Sequence, residues 1–176
     1  MSTQINDVAT MAQRAWDELS IMKVISKLAH AQDNLDREAY RNCFTDKVML
    51  TESVMFPGWK PKEIPVEVLM ENYFAGLEKF DAGHHMVFNH IIEVDGDEAT
   101  CVADLYGVAV FIEDNESKTS CLGGRYFLRL RRQQGEWRIY ERAVTVRYRG
   151  EGDPVFRAKV AARAEARSTA LGEASA

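Results

Sequence analysis

The chain contains no apolar run approaching the roughly 20 residues that a membrane helix needs, no block of basic residues and no Cys-x-x-Cys pair. The first absence excludes a helical membrane protein. With a formal net charge of -5 and only scattered arginines near the C-terminus, the second argues against a surface that tracks nucleic-acid phosphates. Cys43, Cys101 and Cys121 are far apart and odd in number, which favours free thiols in a reducing compartment over a disulfide framework. The opening "MSTQINDVATMAQRAW" lacks a basic segment followed by an apolar one, so a cytoplasmic location is expected. There is no Gly-x-Ser-x-Gly nucleophile motif. Gly123-Gly124 follows no phosphate-loop pattern and reads as a strand kink or bulge.

What is present is an ordinary globular composition, 46% hydrophobic and 28% charged over 176 residues. That length fits one domain able to bury roughly two-thirds of its unfolded surface. Residues 1–11 read as an N-terminal arm. From Ala12 to Ala31 the apolar residues Ala15, Trp16, Leu19, Met22, Ile25 and Leu28 recur at helical spacing and predict one long amphipathic helix. Asp36 can cap a second helix carrying Ala39, Tyr40, Cys43 and Phe44, which makes a helical hairpin. A short strand over "KVMLTES" leads into "VMFPGWKPKEIP", a proline-rich loop placed to cover a pocket with Trp59, and Val66 to Lys79 is a third helix.

Beyond Gly83 the period changes from 3.6 to 2. Met86–Val94, Ala99–Glu113, Ser117–Arg132 and Glu136–Arg149 are rich in β-branched and aromatic residues and are separated by turn sequences, which predicts a four-stranded antiparallel meander. After it, "DPVFRAKVAARAEARS" reads as a short terminal helix with a frayed tail, spanning 151–176. Helices followed by a long meander give an α+β layout, a curved antiparallel sheet closed by three helices around a blind pocket.

Chemistry concentrates at two places. Asp33 ends the long helix, where a carboxylate faces the negative end of the helix dipole, so it is either solvated or held by donors from elsewhere. In "GHHMVFNHIIEV", strict alternation puts His85, Val87, Asn89 and Ile91 on one face and His84, Met86, Phe88, His90 and Ile92 on the other. His85 is then either an inward base or a satisfied histidine at a strand start, and His84 and His90 fall on the opposite face. No histidine pair with a carboxylate has metal-ligand spacing, so no metal is expected. The Arg129, Arg131 and Arg132 run reads most simply as a solvated strand end.

The stretches "HAQDNLDREAYRNCF", "GHHMVFNHIIEVDGDEATCVADLYG" and "GGRYFLRLRRQQGEWRIYERAVTVRY", in that order, resemble the SnoaL-like branch of the NTF2-like cone fold. The likeness covers residues 12–150 and is greatest to the group of scytalone dehydratase, hexachlorocyclohexane dehydrochlorinase and bile acid 7α-dehydratase. It implies a cofactor-independent lyase. An Asp-His dyad, here Asp33 and His85 with Asn89 completing His-x-x-x-Asn, would eliminate water, halide or a small carbon fragment from a hydrophobic, aromatic or polycyclic small molecule. Arg142 matches the position of a pocket arginine. Where the group often carries a helper tyrosine or lysine for the leaving group, this chain has Leu28. Lys27, His30, Tyr106 and Tyr126 are the candidate replacements, and Tyr40 and Tyr140 could also offer a hydroxyl. The same fold also serves ketosteroid-type isomerases and cyclases, non-catalytic binding modules and dioxygenase small subunits. The resemblance further implies a homotrimer, with a dimer as the alternative, since Val108, Val110 and Ile112 or their neighbours would leave an apolar outer sheet face uncovered.

Overall fold

A computed structural model describes residues 2–52 and 60–150. Helix α1 (Ser2–Asp33) begins well before Ala12, so helix occupies the expected N-terminal arm. It buries Ile21, Val24, Ile25, Leu28, Ala31 and Gln32 on one face. Helix α2 (Arg37–Arg41) follows after the Asn34-Leu35 turn, and its Asp36 cap accepts a hydrogen bond from the Ala39 N–H at 2.9 Å, as the sequence predicts. Helix α3 (Val66–Leu77) contributes Leu69 and Phe74 to the core.

The described residues form six strands, β1 (Phe44–Glu52), β2 (Lys62–Pro65), β3 (Ala82–Asp95), β4 (Glu98–Glu113), β5 (Glu116–Gln133) and β6 (Glu136–Arg149). They form one sheet in the order β2-β1-β6-β5-β4-β3. Strands β3 to β6 make the predicted meander. The sheet is nevertheless mixed, because β1 lies parallel to β6 and β2 is an additional strand within the expected loop. The helices cover one face, and a single cluster running from Ile21 and Leu28 through Tyr40 and Phe74 to Leu128, Leu130 and Ile139 fills the space between. The architecture is the α+β NTF2-like cone.

Two irregularities shape that face. The β5–β6 register shifts at Gly123-Gly124, where a Cβ on Gly124 would stand 2.3 Å from the Thr145 carbonyl oxygen; only glycine lets the strands approach so closely. The β3–β4 register shifts between Phe88 and Ile91, with Asn89 at φ 55°, a left-handed conformation that asparagine tolerates better than most residues. This bulge reverses the alternation along β3. Ile91, expected beside His85, is 66% exposed, while Ile92 and Val94 pack on the core with Val87.

Trp59 and the predicted C-terminal helix lie outside the described residues.

Candidate active site

Among the described residues strand β3 is the edge of the sheet beyond β4, so one side of its backbone has no strand partner there. The end of α1 packs across that edge. Asp33, the last residue of α1, turns its carboxylate onto the strand and accepts from the His85 backbone N–H at 2.9 and 3.1 Å. The same carboxylate stands 2.7 Å from His85 Nδ1. Donors, not solvent, hold it at the unfavourable end of the helix dipole. An ionised carboxylate only accepts, so the His85 proton sits on Nδ1 and Nε2 presents a lone pair.

His84 departs from expectation. Its side chain does not turn away from His85; Nδ1 lies 3.1 Å from Asp33 Oδ2, so both adjacent histidines meet one carboxylate. His84 remains exposed and His85 is largely buried. Burial lowers the His85 pKa, the Asp33 hydrogen bond and charge raise it, and Arg142 and His84 lower it; the balance lies below the ordinary value of 6.5. His85 is therefore neutral at pH 7. Gly107 on β4 faces its ring, where even a Cβ would make only an ordinary contact with Cδ2 at 3.7 Å.

The group facing Nε2 is one that the sequence pattern hides. Tyr73 on α3, which reads as one more apolar helix position, places its hydroxyl 3.4 Å from His85 Nε2. Behind it lies Arg142, 6% exposed and inward-facing on β6. Its Nη1 donates to Tyr40 Oη at 3.1 Å and Nη2 to Tyr126 Oη at 3.4 Å, and the guanidinium stands 5.1 Å over the Tyr73 ring. Tyr40 and Tyr73 stack with centroids 5.4 Å apart. Burial disfavours the arginine cation, but the surrounding tyrosine oxygens favour it and its pKa lies above the usual value. Burial also raises the Tyr40 hydroxyl to about 12 and Tyr73 well above its ordinary range, although Arg142 draws both back. Tyr40 and Tyr73 are therefore hydroxyls, not phenolates, at neutral pH.

The remaining candidates separate clearly. Lys27 and His30 lie on the exposed side of α1, away from the pocket, because the helical step carries them off the buried stripe that holds Leu28 and Gln32. Asn89 is turned outward by its bulge and donates to Asp104 Oδ2 at 3.0 Å, beside Arg125. Tyr106 sits on the outer sheet face, where its neighbours are Cys121 and Tyr148. Tyr140 faces outward to Glu98. Tyr126 is in place, but as a member of the arginine cage. Arg132 does not form a free strand end: it bonds to Asp17 at 2.8 Å and to Asp97 at 2.9 Å.

A cavity of about 740 Å³ opens over this constellation, lined by Asp33, His85 and Tyr73 and by apolar or small residues such as Leu77, Leu105, Gly107, Leu122 and Val144. Among the described residues no group of three or more His, Cys, Asp and Glu side chains could hold a metal ion. No described helix is long and apolar enough to cross a membrane.

Residues 13–143 match the model of the SnoaL-like domain. The chain belongs to the SnoaL-like family. Its fold is shared with a protein from Novosphingobium aromaticivorans provisionally named a scytalone dehydratase, with TM-score 0.69, 13% identity and coverage of 81% of this chain and 92% of that one. A hexachlorocyclohexane dehydrochlorinase from Novosphingobium barchaimii superposes with TM-score 0.61 at 18% identity, covering 82% and 92%. A protein of unknown function from Mycobacterium tuberculosis does so with TM-score 0.64 at 25% identity, covering 77% and 75%. No curated protein matches the sequence. At these identities the first two likenesses establish this SnoaL-like domain's fold and leave its chemistry to its own residues.

Proposed function

We propose that this SnoaL-like protein is a cofactor-independent lyase in which His85, oriented by Asp33, removes a proton from carbon and a β-leaving group departs. The observation that carries this reading is the short Nδ1 contact to a carboxylate fixed by the strand backbone, on a histidine that lines the cavity and whose Nε2 meets the Tyr73 hydroxyl. A binding module has no need of such a pair. The dehydratase-like and dehydrochlorinase relatives favour elimination within the family.

The proposed cycle balances on three side chains. Nε2 of His85 takes the proton, the C–H electron pair becomes the new double bond, and the leaving hydroxyl departs as water with the Tyr73 proton. The imidazolium, stabilised by Asp33, then returns its proton to Tyr73. Arg142 supports the transient phenolate, and the apolar walls strengthen both contacts by excluding water. Tyr73 thus fills the role vacated at Leu28. The preferred substrate is a hydrophobic ring compound, the setting is the cytoplasm, and a homotrimer would cover exposed outer-face residues such as Phe88 and Phe127.

A β-hydroxy ketone tests the reaction directly. 3-Hydroxy-1-tetralone loses water to give 1-naphthol, which is followed by its fluorescence. Turnover above the buffer rate that His85→Gln abolishes is expected; a wild-type rate equal to buffer for this and related β-hydroxy ketones sinks the lyase reading.

A further inference from the structure

Gln32 occupies the buried stripe of α1 directly before Asp33, in line with Leu28 and Ile25. Leucine, methionine or alanine would satisfy that position. Instead the residue is a carboxamide, 2% exposed, and neither its Oε1 nor its Nε2 has a hydrogen-bond partner among the described residues. Burying both ends of an amide unpaired is unfavourable, and such groups in folded proteins generally have an occupant that meets them. Gln32 lines the same cavity as Asp33, His85 and Tyr73, and the walls around it are largely apolar. A second orphan stands in the arginine cage, the Nε of Arg142.

We propose that Gln32 is a substrate-binding residue that recognises an oxygen substituent, a hydroxyl or a carbonyl, on an otherwise apolar ring. A carboxamide carries a donor and an acceptor, so it accommodates either group and discriminates against the bare hydrocarbon. Gln32, Asp33 and His85 line one cavity, so the oxygen is read in the same chamber in which the base stands. This specifies the substrate class of the lyase proposed above as an oxygenated ring compound, and rests on that reading for the assignment of His85, but the binding contact itself does not require the base.

The test measures affinity by calorimetry for three probes with the same skeleton, 1-tetralone, 1-tetralol and tetralin, in the wild type, Gln32→Leu, Gln32→Met and His85→Gln. The wild type is expected to prefer at least one oxygenated probe over tetralin by roughly tenfold or more. Whichever of the two is favoured identifies the group as carbonyl or hydroxyl. Both Gln32 variants should bind all three probes alike and melt at a higher temperature than the wild type, because the unpaired amide is gone. His85→Gln should keep the preference, which separates failure of the lyase reading from failure of this one. A wild type without preference, or a preference that survives in folded Gln32→Leu or Gln32→Met, overturns the proposal. A fall in melting temperature for both variants would also count against it, since it would mean the amide is satisfied within the fold.

Discussion

Helix α1 carries two carboxylates turned toward the sheet, and they are held in opposite ways. Asp17 is buried at the far end of the core beside Arg132 at 2.8 Å, with Trp137 Nε1 at 3.3 Å and Gln13 at 3.2 Å. Burial pushes its pKa up, but the hydrogen bonds from Arg132, Gln13 and Trp137 and the arginine charge outweigh that and hold it below the ordinary value. Asp33 has no arginine or lysine partner among the described residues; it is met there by two imidazoles and a strand N–H. A carboxylate beside a permanent cation makes an anchor whose state is constant near neutrality. One beside histidines makes a pair whose charge can change, which is what proton transfer needs. The same helix therefore supplies a fastening near its middle and, under the proposed function, a partner for proton transfer at its end.

The largest effect expected from breaking this contrast is at the reactive end. His85→Gln should lower kcat on a β-hydroxy ketone by about 10³-fold, and Asp33→Asn by about 10²-fold, with little change in melting temperature for the former. In Asp33→Asn the His85 midpoint, read by NMR, should fall further below 6.5, because the carboxylate is what raises it against desolvation. An identical midpoint in both proteins would mean that the two groups are not coupled. At the anchor, Asp17→Asn should cost ~2 kcal/mol of stability, since Arg132 is left short of a partner but is not fully buried. Denaturant unfolding measures that cost, and kcat should be unaffected.

Acidification separates the two sites by pH. A histidine with a lowered folded pKa binds its proton more readily when unfolded, so the contributions of His85 and His90 to stability are present above about pH 6.5 and decline as pH falls below it. Activity that needs neutral His85 should fall on the same side, at a lower midpoint. The contribution of Asp17 has the carboxylate sign: it is present above about pH 4 and is lost as pH falls through its depressed folded value. Asp17→Asn should therefore reduce the strongly acid part of the stability profile and leave the part near pH 6 intact.

Smaller effects sharpen the boundary of the site. Tyr73→Phe should reduce kcat about tenfold, ~1.4 kcal/mol, with KM nearly constant, as expected for a donor used mainly in the transition state. Asn89→Ala should cost ~1 kcal/mol of stability through its left-handed backbone and lost bond to Asp104. Its KM and kcat should stay at wild-type values, whereas a large KM increase would return Asn89 to the pocket.

Much of this protein was legible in the sequence because the relevant information is local. The apolar stripe of α1 follows from a 3.6-residue period, the Asp36 cap from its position before an apolar run, and the meander from period-2 segments between turns. Asp33 and His85 could be singled out by their order along the chain in relation to the family. Asn89 and Ile91 were misplaced because a one-residue bulge exchanges the two faces of a strand, and its cause is a single φ angle that alternation does not reveal. Lys27 is a candidate as the neighbour of Leu28 and His30 because it lies three residues before Asp33 on one helix side, but the stripe that packing buries runs through Leu28 and Gln32 and leaves both exposed.

The sequence by itself determined the α+β class, the elements and the presence of a carboxylate and a histidine in family order. Only the tertiary structure decided that His84 shares Asp33 with His85, that Tyr73 rather than a residue of α1 meets Nε2, and that Arg142 stands among Tyr40, Tyr73 and Tyr126. The physical reason is reach. Periodicity records which side of its own element a residue occupies, whereas these contacts join α1, α2, α3, β3, β5 and β6 across the core, and their distances exist only once the sheet has curved and the helices have packed against it.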